Sequence, residues 1–221
     1  MPSLLVVDDE PGVLYALEKG LRSDTLEVIT ASTTQAVETV GVVGRLEAAR
    51  VTPVLLKTLK DPDAEVRRIS ATVLGSLGAD AKSAAPGLTT ASRDPSPDVR
   101  RAALKALAGA ESDRVATVPV LAQLLKDPEE GVRTDTAQIL RDQGPKAKTA
   151  VPELIAALAD SNEDVFRFAA LALGRIGPDA KEAVPALLQA LRDNRPYSET
   201  TIRWALGQID PQGRTKATAE E

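Results

Sequence analysis

Hydrophobic residues recur along this chain at helical spacing, and the helical stripes themselves recur every 33 residues. Intervals of three and four residues within one stripe predict an amphipathic helix. That stripe comprises Val66, Ile69, Val73, Leu74 and Leu77. A leucine holds the same place in five successive stripes: Leu74, Leu107, Leu140, Leu173 and Leu206. The period therefore predicts a tandem array, in which stacked helical units bury apolar faces that no single unit can cover alone.

Prolines and aspartates divide each unit into two helices. A proline opens the first helix, where its missing N–H costs least, and an aspartate marks the turn before the second helix. The prolines are Pro53, Pro86, Pro119, Pro152 and Pro185. The aspartates are Asp61, Asp94, Asp127, Asp160 and Asp193. The predicted fold class is all-α, an α-solenoid of about five helical hairpins.

Residues 1–40 do not follow the period. Leu4–Val7 and Leu26–Thr30 are short apolar runs of strand type, and helical patterns at 12–22 and 33–40 lie after them. The order strand, helix, strand, helix predicts a short α/β segment. Two interpretations stay open: a cap on the end of the array, or a remnant whose two strands form only a marginal sheet.

The chain is thus predicted to have three parts. The N-terminal segment covers residues 1–40, and the repeat array covers residues 45–211. Residues 212–221 form a polar tail without periodicity, which we predict to be disordered.

Composition restricts the chemistry open to this protein. The sequence has no cysteine and no histidine. Disulfides, thiolate metal sites and cysteine nucleophiles are therefore excluded, and so is the side chain that most often serves as a general base. We expect a protein that is not an enzyme and has no cofactor.

The charge of the chain also bears on its partners. The formal net charge is −5, whereas nucleic-acid binding depends on clustered cations that neutralise phosphates. No apolar stretch is long enough to cross a membrane. We expect another protein as the partner rather than nucleic acid or membrane, and a cytoplasmic location.

Three segments of the array carry a resemblance to a known family. Asp-Pro-Asp-Ala-Glu-Val-Arg-Arg at 61–68, Asp-Pro-Ser-Pro-Asp-Val-Arg-Arg at 94–101 and Ala-Leu-Gly-Arg-Ile-Gly-Pro at 172–178 resemble the short HEAT-like repeats of bacteria. The resemblance covers residues 45–211. It implies a right-handed solenoid of helical hairpins whose second helices line a concave partner-binding surface.

The resemblance also implies a ladder between adjacent units. In the family, an aspartate of the turn and an arginine six residues later form it. The corresponding pairs are Asp61 with Arg67, Asp94 with Arg100, and Asp127 with Arg133. The fourth unit has Phe166 and the fifth has Glu199 at the arginine position, so the ladder is predicted to fade toward the C-terminus.

Arginines beside the ladder are candidates for partner binding. Arg68 and Arg101 follow the ladder arginines in two successive units, where they form either a basic stripe for a phosphate or an acidic partner, or an ordinary solvated face. The solvated face is the favoured interpretation, because acids recur at the same period.

Aromatic residues are the second group of candidates. Four of the five aromatics lie in the last two units, and aromatics beside arginine are typical of binding hot spots. Core packing is the alternative for at least two of the four, Phe166, Phe168, Tyr197 and Trp204. The predicted partner-binding residues are Arg68, Arg101, Phe166, Arg167, Tyr197 and Trp204.

The N-terminal segment carries a separate resemblance. Leu-Leu-Val-Val-Asp-Asp-Glu-Pro at 4–11 resembles the opening of the response-regulator receiver domain, in which such an acid pair binds magnesium beside a phosphorylated aspartate. Asp8 and Asp9 match the pair, and adjacent carboxylates suit this cation. The third strand is expected near residues 48–55, which contain no aspartate. A working phosphorelay is therefore not expected.

These observations predict a non-enzymatic scaffold for protein–protein interaction. Two alternatives stay open. One is a signalling protein with a degenerate receiver. The other is a subunit of a bilin lyase-like enzyme, since some HEAT-like repeat proteins attach bilin chromophores.

Overall fold

The computed structural model describes residues 3–6, 27–30, 52–53, 55–78, 83–109, 114–193 and 199–210. It falls into two compact units, residues 1–112 and 113–221. Each unit is described by itself below.

Two short strands lie in the first unit: β1 (Ser3–Val6) and β2 (Glu27–Thr30). They pair in parallel, with Ser3 opposite Glu27 and Val6 opposite Thr30. Their positions match the two predicted apolar runs to within a residue. The helices predicted between and after them lie outside the described residues.

The helices of the first unit are α1 (Ala64–Ser76), α2 (Ala85–Ala91) and α3 (Pro97–Gly109). Helical residues at 52–53 and 55–58 precede α1. The hydroxyls of Thr58 and Ser70 are 2.6 Å apart, which joins this first helix to α1. Helix α3 packs against both α1 and α2.

The second unit contains α4 (Arg114–Leu124), α5 (Glu130–Gln143), α6 (Val151–Ala157), α7 (Glu163–Ile176), α8 (Val184–Arg192) and α9 (Glu199–Ile209). Short 3₁₀ segments, Gly144–Ala150 and Gly177–Ala183, connect α5 to α6 and α7 to α8. Helix α7 packs against α5 on one side and α9 on the other. The described residues thus form five helical hairpins, which confirms the all-α solenoid fold class.

The leucines of the 33-residue period form the core. Leu74, Leu107, Leu140 and Leu173 are at most 1% exposed. Leu206, in the last described helix, is half-buried. Because the same side chain fills this position, the second helices within each unit pack alike.

The period also fixes where helices begin and end. Pro86, Pro152 and Pro185 each lie in the first turn of a first helix, as predicted. Pro119 differs, since it lies inside α4, which already begins at Arg114. The positive φ angles of Gly78, Gly144 and Gly177, from 54° to 75°, mark the ends of second helices, where residues with a Cβ are strained.

None of the described helices is long and apolar enough to cross a membrane.

Candidate protein-binding surface

The turn aspartates stabilise the bend between the two helices of each hairpin. In four turns the Asp Oδ1 accepts a hydrogen bond from the backbone N–H two residues later, at 2.8 to 2.9 Å. The donors are Asp63, Ser96, Glu129 and Asn162. This local bond is the physical reason for the recurrent aspartate, because it closes the turn without help from the rest of the fold.

Arg67 of α1 joins two consecutive turns through one guanidinium. Its Nη1 donates to the backbone oxygens of Asp61 and Pro62, at 2.8 and 3.0 Å. Its Nε and Nη2 donate to the two carboxylate oxygens of Asp94 in the next turn, at 2.7 and 2.9 Å. Arg67 therefore contacts the backbone of its own turn and the carboxylate of the following one.

The same geometry recurs at Arg133 of α5. Its Nη1 contacts the backbone oxygens of Asp127 and Pro128, and its Nε and Nη2 bind the carboxylate of Asp160 at 2.7 and 3.1 Å. Arg100 makes the corresponding bonds to the backbone oxygens of Asp94 and Pro95.

Within each predicted pair, the arginine thus bonds the backbone oxygen of its aspartate. The carboxylate that it binds, where the structure shows one, belongs to the following unit. A planar guanidinium with five donors can serve both partners at once.

The bond to Arg67 favours the charged form of Asp94. Hydrogen bonds from Arg67 lower the pKa of Asp94 below its ordinary value of 3.8, and the backbone N–H of Ser96 adds to this effect. The corresponding bonds raise the pKa values of Arg67 and Arg133. The side chains of Arg67 and Asp94 are only 15% and 9% exposed, so this ion pair stabilises the repeat and offers little surface to a partner.

Phe166 interrupts this ladder and corrects one prediction. Its side chain is 3% exposed and belongs to the core, so it does not offer a surface to a partner. An aromatic ring cannot donate to the next carboxylate, and Asp193 instead accepts a hydrogen bond from Gln189 at 2.8 Å. Glu199, at the next arginine position, binds Arg203 at 2.8 Å.

Phe168 lies two residues further along α7 and is half-buried. The guanidinium carbons of Arg141 and Arg167 are 4.9 and 4.6 Å from its ring centroid, within the range of cation–π attraction. Both arginines are also held by acids, Arg141 by Asp142 at 2.9 Å and Arg167 by Asp164 at 2.6 Å. The ring and the two cations therefore form an ordered cluster.

Trp204 of α9 is the exposed large hydrophobic residue of the described part of the chain, at 36% exposure. Its ring lies against Gly174 of α7, where a Cβ would approach Cζ3 to 2.5 Å. Gly174 is seven residues after Arg167, two helical turns along one face of α7, a rise of about 10 Å. We call Arg141, Arg167, Phe168 and Trp204 the aromatic–arginine surface.

Arg68 and Arg101 lie elsewhere, in the first unit. They line a depression of about 250 Å³ between α1 and α3, which we call the basic groove. Its other lining residues are Thr72, Asp98, Ala102 and Lys105.

The remaining predicted residues cannot be placed. Asp8, Asp9 and Tyr197 lie outside the described residues. The magnesium and receiver interpretations of the N-terminal segment therefore stay predictions.

Arg141, Phe168 and Lys105 were not among the predicted partner-binding residues. The repeat gave no clear signal for Phe168, because its equivalents in the other hairpins, Ile69, Ala102, Asp135 and Thr201, range from a buried isoleucine to an aspartate. The signal for Arg141 is a departure from small residues, because its equivalents in the other hairpins are Gly75, Ala108, Gly174 and Gly207.

Comparison with known proteins identifies the repeat type. The family model described as HEAT repeats matches residues 35–108, 52–141, 85–167 and 151–219. No curated protein matches the chain in sequence.

Solved structures share the fold. A designed armadillo repeat protein in complex with the peptide (KR)4 has a TM-score of 0.63 at 18% identity, over 80% of this chain and 86% of that one. An engineered protein has a TM-score of 0.60 at 21% identity, over 80% and 84%. The complex of CpcE and CpcF of phycocyanin lyase from Nostoc sp. has a TM-score of 0.58 at 24% identity, over 73% and 65%.

Proposed function

Because the chain belongs to the HEAT-repeat family, which matches it in overlapping segments from residue 35 to residue 219, we propose that it is a non-enzymatic scaffold that binds another protein. The observation that carries the proposal is the aromatic–arginine surface of the second unit. Apart from Phe166, the buried hydrophobic residues of the described helices are aliphatic, whereas this surface presents an indole and two guanidiniums outside the core.

The chemistry of these residues suits binding. Tryptophan and arginine are enriched among the residues that dominate interface energies. Contacts with Phe168 and with acids already restrain Arg141 and Arg167, so less conformational entropy is lost when a partner binds. Trp204 offers apolar area that its contact with Gly174 covers only in part.

The similar designed armadillo protein supports this proposal by analogy, since it is in complex with a peptide. The absence of histidine and cysteine from the sequence supports a binding role over acid–base or thiol catalysis.

Affinity capture from the source cells, combined with crosslinking, tests the proposal. The wild-type chain should recover a partner that crosslinks near α7 and α9. Trp204→Ala combined with Phe168→Ala should weaken that capture by about 30-fold or more, as expected for loss of a hot spot of about 2 kcal/mol.

Lys181→Ala is the matched control. Lys181 is exposed on the 3₁₀ segment that precedes α8, so its loss should leave capture unchanged. Recovery of the same proteins at the same level by the double variant would contradict the proposal.

A second candidate function is that of a lyase subunit. The similar fold of the CpcE–CpcF complex of phycocyanin lyase is the observation that favours it. Incubation with a bilin and its acceptor protein separates the two candidates. A scaffold leaves the absorption spectrum of the mixture unchanged, whereas chromophore attachment shifts it.

A further inference from the structure

The basic groove of the first unit is formed by two second helices that approach closely. A Cβ added at Gly75 of α1 would lie 2.9 Å from the Cα of Ala106 in α3. Arg68 and Arg101 hold equivalent positions in two successive hairpins, 33 residues apart. Lys105 follows Arg101 by one helical turn. The three cations therefore face one depression of about 250 Å³.

The charge of this groove is opposite to that of the whole chain. Its lining has three cationic side chains and one carboxylate, Asp98, whereas the chain carries a formal net charge of −5. Ala102 contributes a small side chain to the lining, which leaves room for a ligand between the cations.

Arg68 is held in place before any ligand arrives. Its Nε and Nη2 donate to the two carboxylate oxygens of Glu65, at 2.9 and 2.6 Å. This bond lowers the pKa of Glu65, so the pair is charged at neutral pH. A restrained guanidinium loses less entropy on binding than one that samples many rotamers.

We propose that the basic groove binds an acidic segment of a partner protein in extended conformation. This inference rests on the proposed scaffold function and specifies the chemistry of one segment that the scaffold takes. Alternate side chains of an extended peptide are about 7 Å apart, and packed helices are about 8 to 10 Å apart. The length of the lysine and arginine side chains covers that difference, so carboxylates at alternate positions reach cations on both helices.

Carboxylates fit this groove better than a nucleic-acid backbone does. A strand of phosphates needs a longer row of cations for affinity. Here Asp98 lines the groove and Glu65 lies beside Arg68, so the cations do not form such a row. In a peptide, Asp98 can instead accept a hydrogen bond from a backbone N–H.

Fluorescence anisotropy with the full chain tests this proposal. The probe is a dye-labelled peptide of about eight residues that alternates Asp and Ser, long enough to cross both helices. Matched peptides alternate Asn and Ser, or Lys and Ser. Only the Asp–Ser peptide should bind, and its affinity should fall as salt is raised from about 50 to about 300 mM.

Charge reversal locates the site. Lys105→Glu and Arg101→Glu should each weaken binding of the Asp–Ser peptide by about tenfold. Lys57→Glu changes the chain charge by the same amount on the exposed face of the first helix of the first hairpin, and should change affinity by less than about twofold. Circular dichroism verifies that each variant is folded, and Lys105 is exposed, so its substitution leaves the core intact.

Three results would overturn the inference: equal binding of the Asn–Ser peptide, an equal loss in Lys57→Glu, or tighter binding of a single-stranded oligonucleotide. The peptide titration needs no cellular partner, so its outcome is independent of the capture experiment. If capture depends on Trp204 but the Asp–Ser peptide does not bind, only the proposal for the basic groove is refuted. Peptide binding without any Trp204-dependent capture refutes the proposed role of the aromatic–arginine surface.

Discussion

Asp94→Asn should destabilise the first unit by about 2 to 3 kcal/mol. The substitution keeps an oxygen that can accept from the backbone N–H of Ser96, so the turn survives. It replaces the carboxylate that Arg67 binds with an amide, and the NH2 group of that amide would face an N–H donor of Arg67. Breaking a buried pair costs about 3 to 5 kcal/mol, and the 9% and 15% exposure of these side chains reduces that figure.

The assay is urea unfolding of the full chain at neutral pH, followed by circular dichroism. Asp63→Asn is the matched control. It removes the same charge from the preceding turn, where the side chain is exposed and accepts only a cap bond from the N–H of Glu65. Asparagine caps a helix as well as aspartate does, so the control should change stability by less than about 0.5 kcal/mol.

The difference between wild type and Asp94→Asn should also depend on pH. The pKa of Asp94 is lowered in the folded state, chiefly by Arg67, so its contribution is fully present above the unfolded pKa. That contribution is lost as pH falls through the folded pKa, below 3.8. Equal stability of the two variants at neutral pH, or a gap that widens on acidification, would refute the ladder as a source of stability.

Four further substitutions test the packing by the same unfolding assay. Gln143→Leu should stabilise the second unit by about 1 to 2 kcal/mol, because the buried Oε1 of Gln143 has no hydrogen-bond partner among the described residues; a loss of stability would contradict this. Phe166→Ala should cost about 3 to 5 kcal/mol and Phe168→Ala less than about 1.5 kcal/mol, and the reverse order would show that the two rings exchange roles. Gly174→Ala should cost about 1 to 3 kcal/mol, since its Cβ would lie 2.9 Å from the Cα of Ala205; an unchanged midpoint would mean that the helices move apart freely.

The scaffold could be predicted from the sequence because each of its elements depends on short-range chemistry. Proline in the first helical turn, aspartate in the bend and leucine in the stripe act within a few residues of themselves. Repetition then multiplies a weak local signal. Pro119 shows the limit, because its position inside α4 depends on where that helix begins, which the proline itself does not determine.

The site could be predicted only in part, because exposure depends on neighbouring units. Phe166 and Phe168 differ by two positions in one helix, and the sequence indicates that both are aromatic beside arginine. Burial separates them: Phe166 occupies the space of a ladder arginine and is 3% exposed, whereas Phe168 faces two guanidiniums. The carboxylate partner of Arg67 is likewise 27 residues away, in the next turn.

The contrast between fixed and varied positions of the repeat indicates where recognition resides. The third residue of the second helix is a buried valine in four hairpins: Val66, Val99, Val132 and Val165. Six residues further on, five successive units present a hydroxyl, an ammonium, an amide, an alkyl chain and an indole: Thr72, Lys105, Gln138, Leu171 and Trp204. Stacking requires the first position to be constant, since its valine is buried in all four hairpins. Stacking does not constrain the second position, which is half-buried or exposed in every hairpin. A position that stacking does not constrain can differ from hairpin to hairpin. The first compact unit therefore has a cationic groove and the second has an aromatic face, and each suits a different chemistry in a partner.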